Sequence, residues 1–131
     1  MTNKIEVVDL RTGHITLRPN ARTICYFIVE NITERDTIKK TAMELLLSGC
    51  REFHFYGKQE PLWHLLFDEV DIMINPDSTT EDVALTAGYE VLDEFLEELM
   101  EGTSMRAFVP QQYILFYDND ELCKQIKYME Q

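Results

Sequence analysis

The run TICYFIVE, Thr23 to Glu30, is apolar at successive positions that point to opposite sides of an extended chain. A strand with one wet face alternates. One that is apolar throughout has to be covered on both faces, as in the middle of a parallel sheet. QYILFYD, Gln112 to Asp118, is a second run of the same kind. Parallel neighbours need crossover connections, and the segments between the two runs supply them. Thr33, with Asp36 three residues on, is placed to cap a helix with an apolar face of Ile38, Ala42, Leu45 and Leu46 and a stop at Gly49. EFHFY then reads as a strand ending at Gly57, and Pro61 opens a second helix marked by Leu62, Leu66 and Val70. DIMIN fits either a helix tail or a short strand, and NPDSTTED reads as a loop. DVALT, Asp82 to Thr86, is the next strand candidate, broken by Gly88. An amphipathic helix follows over residues 90–101, with Val91, Leu92, Phe95, Leu96 and Leu99 inward and Gly102 at its end. A closing helix is expected over residues 120–129.

This alternation predicts a single α/β domain over residues 1–131. Its expected form is a three-layer sandwich with a mostly parallel sheet of about four core strands. Ahead of it, IEVVDL, an RTG turn and HITL read as an N-terminal β-hairpin, so residues 1–20 are expected as an appendage to the core. A hydrophobic fraction of 45% with 11% aromatics is enough to build that core. No apolar run is long enough for a membrane span and no leader pattern precedes the first strand. A soluble cytoplasmic protein with no membrane partner is expected. Cys25, Cys50 and Cys123 are odd in number, widely spaced and without a CxxC pair. That favours reduced thiols over a disulfide framework or a zinc site.

Charge is the most unusual property. Asp and Glu number 24 against 12 Lys and Arg, a formal net charge of -12. No Lys or Arg occurs between Lys58 and Arg106, an interval that holds Asp68, Glu69, Asp71, Glu90, Asp93, Glu94, Glu97, Glu98 and Glu101. Such a surface repels phosphate backbones, so nucleic acid is not an expected partner. It attracts and steers a basic protein, although net negative charge also keeps a protein soluble with no partner at all.

The chemistry-bearing residues concentrate between Gly49 and Asp71. Strand alternation puts Phe53 and Phe55 on one face and His54 and Tyr56 on the other, where a histidine reads first as a hydrogen-bonded core residue. Trp63 fits a core anchor or an interface aromatic. His64 stands four residues before Asp68, the spacing of a histidine–carboxylate contact along a helix. No nucleophile is evident beside that pair. No phosphate-binding glycine loop is present either. At the carboxyl ends of the strands, where ligands bind in parallel sheets, Glu30 and the Asp118-Asn119-Asp120 step form a carboxylate set suited to Mg²⁺. The same Asn119 and Asp120 are equally suited to capping the last helix.

Two resemblances rest on these residues. GCREFHFYG, the Trp63-His64 pair, FDEVD, DVALT and the Glu/Leu-rich helix, spanning roughly residues 25–118 of an ordinary domain length, together resemble a family of small uncharacterised bacterial α/β domains. Members tend to carry a Thr-Thr-aromatic-His step after the third strand, where this chain has Thr86-Ala87-Gly88-Tyr89. The resemblance implies the fold and no particular activity. Glu30 with ILFYDNDEL resembles the Glu…DxD signature of topoisomerase-primase domains, although Asn31 stands where those have glycine and the interval is longer.

The expected function is an acidic protein-binding module, in its concrete form an immunity or inhibitor protein that blocks a basic enzyme such as a nuclease toxin. Its contact residues are expected to be Trp63, His64, Asp68, Glu69, Asp71, Tyr89, Glu90, Asp93, Glu94, Glu97, Glu98 and Glu101, without catalytic residues or a cofactor. Two alternatives are a Mg²⁺-dependent phosphotransfer or phosphodiester enzyme using Glu30, Asp118 and Asp120, and a structural subunit without activity.

Overall fold

Every residue of TICYFI is buried because the strand lies between two others and beneath helices on both sides. The computed structural model describes residues 5–12, 18–76, 83–105 and 108–124. In chain order the elements are β1 (Ile5–Asp9), a 3-10 turn (Leu10–Thr12), β2 (Thr23–Ile28), α1 (Arg35–Leu47), β3 (Glu52–Tyr56), α2 (Glu60–Ile74), β4 (Leu85–Tyr89), α3 (Leu92–Glu101) and β5 (Gln112–Tyr117). The sheet has five strands in the order β1-β5-β2-β3-β4. All its pairings are parallel.

Side-chain alternation sorts the core into two clusters, one on each face. Cys25, Phe27, Phe53, Phe55, Ile114 and Phe116 pack with Ile38, Leu45 and Leu46 of α1 and Trp63, Leu66 and Phe67 of α2. Ile24, Tyr26, Ile28, Tyr113 and Leu115 pack on the other face with Phe95 and Leu99 of α3. The three layers expected from the alternating pattern are therefore present. No helix among the described residues is long and apolar enough to cross a membrane.

Three local readings change and one left open is decided. Ile5–Asp9 is paired in parallel with β5, so this arm of the expected hairpin is a strand of the main sheet and not an appendage to it. The second arm expected at His14–Leu17 lies outside the described residues, as does the last part of the closing helix, which is helical over residues 120–124. α1 begins at Arg35 after Glu34, with no side-chain cap, so Thr33 does not cap it. DIMIN is the tail of α2, which runs through Ile74. The fourth strand starts three residues later than DVALT and includes Gly88 instead of being broken by it. A Cβ on Gly88 would collide with Glu60 Oε1 and come within 3.2 Å of His64 Nδ1, so the glycine lets α2 lie close on this strand.

Candidate functional site

The chain runs outward from β2 through β3 to β4 and then returns, placing β5 against the other side of β2. The point where the direction reverses, between β2 and β5, is where open parallel sheets usually bind ligands. Here it is filled from within. Asp118 is fully buried after β5, and its carboxylate accepts the backbone N–H groups of Glu30 at 2.7 Å, Asn31 at 2.9 Å and Ile32 at 2.8 Å. Asn31 returns a side-chain bond to the Asp118 carbonyl at 3.0 Å.

This geometry dismantles the expected Mg²⁺ set. Asp118 holds the β2–α1 loop, Glu30 Oε2 accepts the Lys58 N–H at 2.6 Å, and Asp120 pairs with Arg11 at 2.5 Å. Arg11 also holds Asp9 at 2.8 Å, and the guanidinium keeps both carboxyls below the usual range. Among the described residues no three His, Cys, Asp or Glu side chains are grouped to hold a metal.

An open pocket among the described residues lies one strand over. A pocket of about 430 Å³ is lined by Glu30, Tyr56, Lys58, Glu60, Tyr89 and Glu90, with Gly57 and Pro61 between them. Gly57 lines it with a φ of +126°, and a Cβ there would stand 2.5 Å from the Val29 carbonyl oxygen. The chain leaving β3 can therefore press against the end of β2, where Gln59 N–H donates to the same carbonyl at 2.8 Å.

Behind Tyr89 runs a buried polar relay. The Tyr89 hydroxyl lies 2.8 Å from His54 Nδ1, and His54 Nε2 lies 2.8 Å from Glu52 Oε2. The other Glu52 oxygen accepts Ser104 Oγ–H at 2.8 Å and Met105 N–H at 3.0 Å. Burial pushes the Glu52 carboxyl up, but the bonds from His54, Ser104 and Met105 outweigh it and leave the pKa below the ordinary 4.5. An ionised Glu52 accepts from His54 Nε2–H, which in the neutral ring leaves Nδ1 to accept the Tyr89 proton. Burial, followed by the carboxylates of Glu98, Glu52 and Glu94, pushes Tyr89 up to about 12, so its phenol keeps its proton at rest. Tyr26 stacks on His54 with ring centroids 4.9 Å apart, and Tyr89 lies against the same imidazole at 5.8 Å.

The Glu52 shift has a pH consequence with a definite sign. A carboxyl whose folded pKa lies below its unfolded value adds stability that is present above the unfolded value and lost as pH falls through the folded one. Between about pH 6 and about pH 3, melting temperature should fall more steeply in the native protein than in Glu52→Gln. Parallel slopes would assign the acid sensitivity to other carboxyls.

Where α2 packs on β4, the expected His64–Asp68 contact is present at 3.6 Å, but Thr86 stands between the two groups. Its hydroxyl lies 2.8 Å from His64 Nε2 and donates to Asp68 Oδ1 at 3.0 Å. The other expected contact residues divide. Trp63 is fully buried and donates to the Ile32 carbonyl at 3.0 Å, so it is a core residue and not a surface anchor. Asp71 is buried too, accepting Ala84 N–H and Asn75 Nδ2–H, and contributes no surface charge. Glu69 is exposed beside Lys39 at 3.8 Å and Arg35 at 4.0 Å. Tyr89 is half-buried on the pocket wall. Glu90, Asp93, Glu94, Glu97 and Glu101 are exposed, and Glu98 is half-buried.

Glu52 was absent from the candidates. Its signal was its place two residues before His54 on a strand, which puts both side chains on one face. Compared with models of known protein families, with curated proteins and with solved structures, the chain matches none.

Proposed function

We propose that the protein binds a basic partner protein through the outward face of α3. Supporting this is one observation: Asp93, Glu94, Glu97 and Glu101 are exposed along that helix, and none of them pairs with a cation among the described residues. Like charges four apart on a helix cost about 0.2–0.5 kcal/mol per pair, a repulsion that a cationic surface would relieve. Glu90 and the pocket carboxylates of Glu30 and Glu60 extend the same charge toward the strand ends. A partner whose own working surface is basic, such as a nuclease, would be blocked by docking here, which is the inhibitor or immunity form of the proposal.

The test is capture of a basic partner by the immobilised protein, followed by titration at two salt concentrations. Affinity should fall by about tenfold or more between 50 and 200 mM salt, since exposed charges are screened over roughly 10 Å. A variant carrying Asp93→Lys, Glu94→Lys, Glu97→Lys and Glu101→Lys should lose binding while keeping its melting temperature within a few degrees. Binding that ignores both salt and charge reversal would reject the α3 face.

A further inference from the structure

β4 is the last strand in the sheet order and, among the described residues, it pairs with β3 alone. Leu85 N–H donates to the Arg51 carbonyl just ahead of β3 at 2.7 Å. Backbone groups alternate in direction along a strand, so those of Leu85, Ala87 and Tyr89 face β3 and those of Thr86 and Gly88 face outward. Ala84, of the same outward set, already donates its N–H to Asp71 at 3.0 Å. The open edge therefore starts at Thr86. Sheet edges are usually guarded by a charge, a proline or a bulge within the strand itself. LTAGY has neither charge nor proline, and its register against β3 is unbroken.

Carboxylates flank this edge on both faces of the sheet. On the α2 face Asp68 accepts the Thr86 hydroxyl at 3.0 Å, and the Glu60 carboxylate lies over Gly88 in the space a Cβ would need. On the α3 face Phe95 meets Tyr89 edge-on at 5.7 Å. After burial, the carboxylates of Glu98, Glu52 and Glu94 raise the Tyr89 pKa, which puts the Glu94 and Glu98 flank of α3 beside this strand. Of the basic side chains near β4, His64 faces the Thr86 hydroxyl, Arg51 turns to the Leu46 and Cys50 carbonyls, and Lys58 lines the pocket. None of them forms an ion pair with Glu60, Glu94 or Glu98 among the described residues. A strand added to β4 would send alternate side chains to the two faces, each row toward two carboxylates. Lys or Arg on both sides fits that setting. A second copy of this chain would bring its own four carboxylates instead, so the charges that guard the edge against self-pairing select a basic strand.

We propose that β4 takes up an extended, Lys- or Arg-rich segment of the basic partner as an added edge strand. The segment hydrogen-bonds to the backbone of Thr86 and Gly88. Its basic side chains lie against Glu60 and Asp68 on one face and against Glu94 and Glu98 on the other. This inference rests on the reading of a basic partner at α3 and adds the place and the conformation in which that partner enters.

The probe is acetyl-Lys-Val-Lys-Lys-Val-Lys-amide, which as a strand places lysines on both faces. Its match is the same peptide with every backbone amide N-methylated, equal in charge but unable to donate to a strand. Each is titrated into the intact chain to millimolar concentration while backbone hydrogen exchange is followed by NMR. At saturation with the first peptide, exchange at Thr86 and Gly88 should slow by about tenfold or more, as new hydrogen bonds protect those amides. Ala87 and Tyr89, already bonded to β3, should change little, and the methylated peptide should leave all four unaltered. Asp68→Asn, which keeps an acceptor for Thr86, combined with Glu94→Gln should weaken the first peptide by about fivefold through the loss of two exposed charge contacts. Undiminished binding by that double variant would overturn the charge selection. Equal binding of both peptides with Thr86 and Gly88 unchanged would overturn strand addition and leave basic docking on α3 standing. No binding of the first peptide would overturn strand addition as well, while the salt and charge-reversal titration of a captured partner decides the α3 reading separately. Slowing at Thr86 and Gly88 that grows with protein concentration and needs no peptide would replace the basic strand with a second copy of the chain.

Discussion

Asp118→Ala is expected to destabilise the protein by about 3–5 kcal/mol, because it leaves the N–H groups of a loop without their acceptor. Three consecutive backbone donors, at Glu30, Asn31 and Ile32, end on this one carboxylate. A charged acceptor makes each such bond stronger than a neutral pair, and loss of the acceptor strands the donors rather than exchanging one bond for another. Asp118→Asn keeps one acceptor oxygen and should cost about half as much. Urea unfolding would read the change as a lower midpoint at an unaltered slope. A loss below about 1 kcal/mol in Asp118→Ala would show that water reaches the loop N–H groups as soon as the carboxylate is removed. The pair of variants also separates a structural carboxylate from a metal ligand, since added Mg²⁺ should leave the native protein's midpoint unchanged.

Phe27→Ala should cost a similar amount, about 3–5 kcal/mol, through a different mechanism. Phe27 is fully buried at the centre of the sheet and is ringed by aromatic neighbours. Phe116 stacks at 4.7 Å and Phe55 at 4.9 Å, Phe67 meets it edge-on at 5.3 Å, and Trp63 lies tilted at 5.6 Å. Truncation would open a cavity shared by two strands on the sheet and α2 above it, and rings of that size cannot all move in to fill it. Phe27→Leu keeps most of the volume and should cost about 1–2 kcal/mol. Equal losses for the two variants would mean that the aromatic contacts themselves, rather than the filled volume, set the stability.

The α/β class, the buried strands and the Phe95 and Leu99 face of α3 were legible because each depends on a local period of apolar residues, whereas Val91, expected inward, stands exposed just ahead of the helix, which begins at Leu92. TICYFI and QYILFY could only be central strands, and both are. The departures came where a tertiary contact outweighed the local signal. Gly88 reads as a strand breaker until the Glu60 side chain is seen to occupy the space its Cβ would need. Asp71 reads as surface charge in an acidic stretch, yet it accepts the N–H of a residue 13 positions on, a contact no local pattern reveals. Trp63 was ambiguous between core and interface for the same reason, since its N–H partner is the Ile32 carbonyl far back in the chain. Glu52 was legible in principle by strand alternation. Its importance was not, because Ser104 and Met105 reach it from the far side of α3.

The strand order also sets a timetable for synthesis. β1 pairs with β5, and β5 is the strand that joins it to the rest of the sheet. As the chain leaves the ribosome from its N-terminus, β2, β3 and β4 can pair and acquire α1 and α2, while β1 waits for β5. Until Gln112–Tyr117 emerges, β2 has an open hydrogen-bonding edge, and its neighbour's place is the one through which another chain could add. Completion is therefore a single late event: inserting one strand closes the edge of β2, gives β1 its partner and brings Asp118 to the loop that needs it.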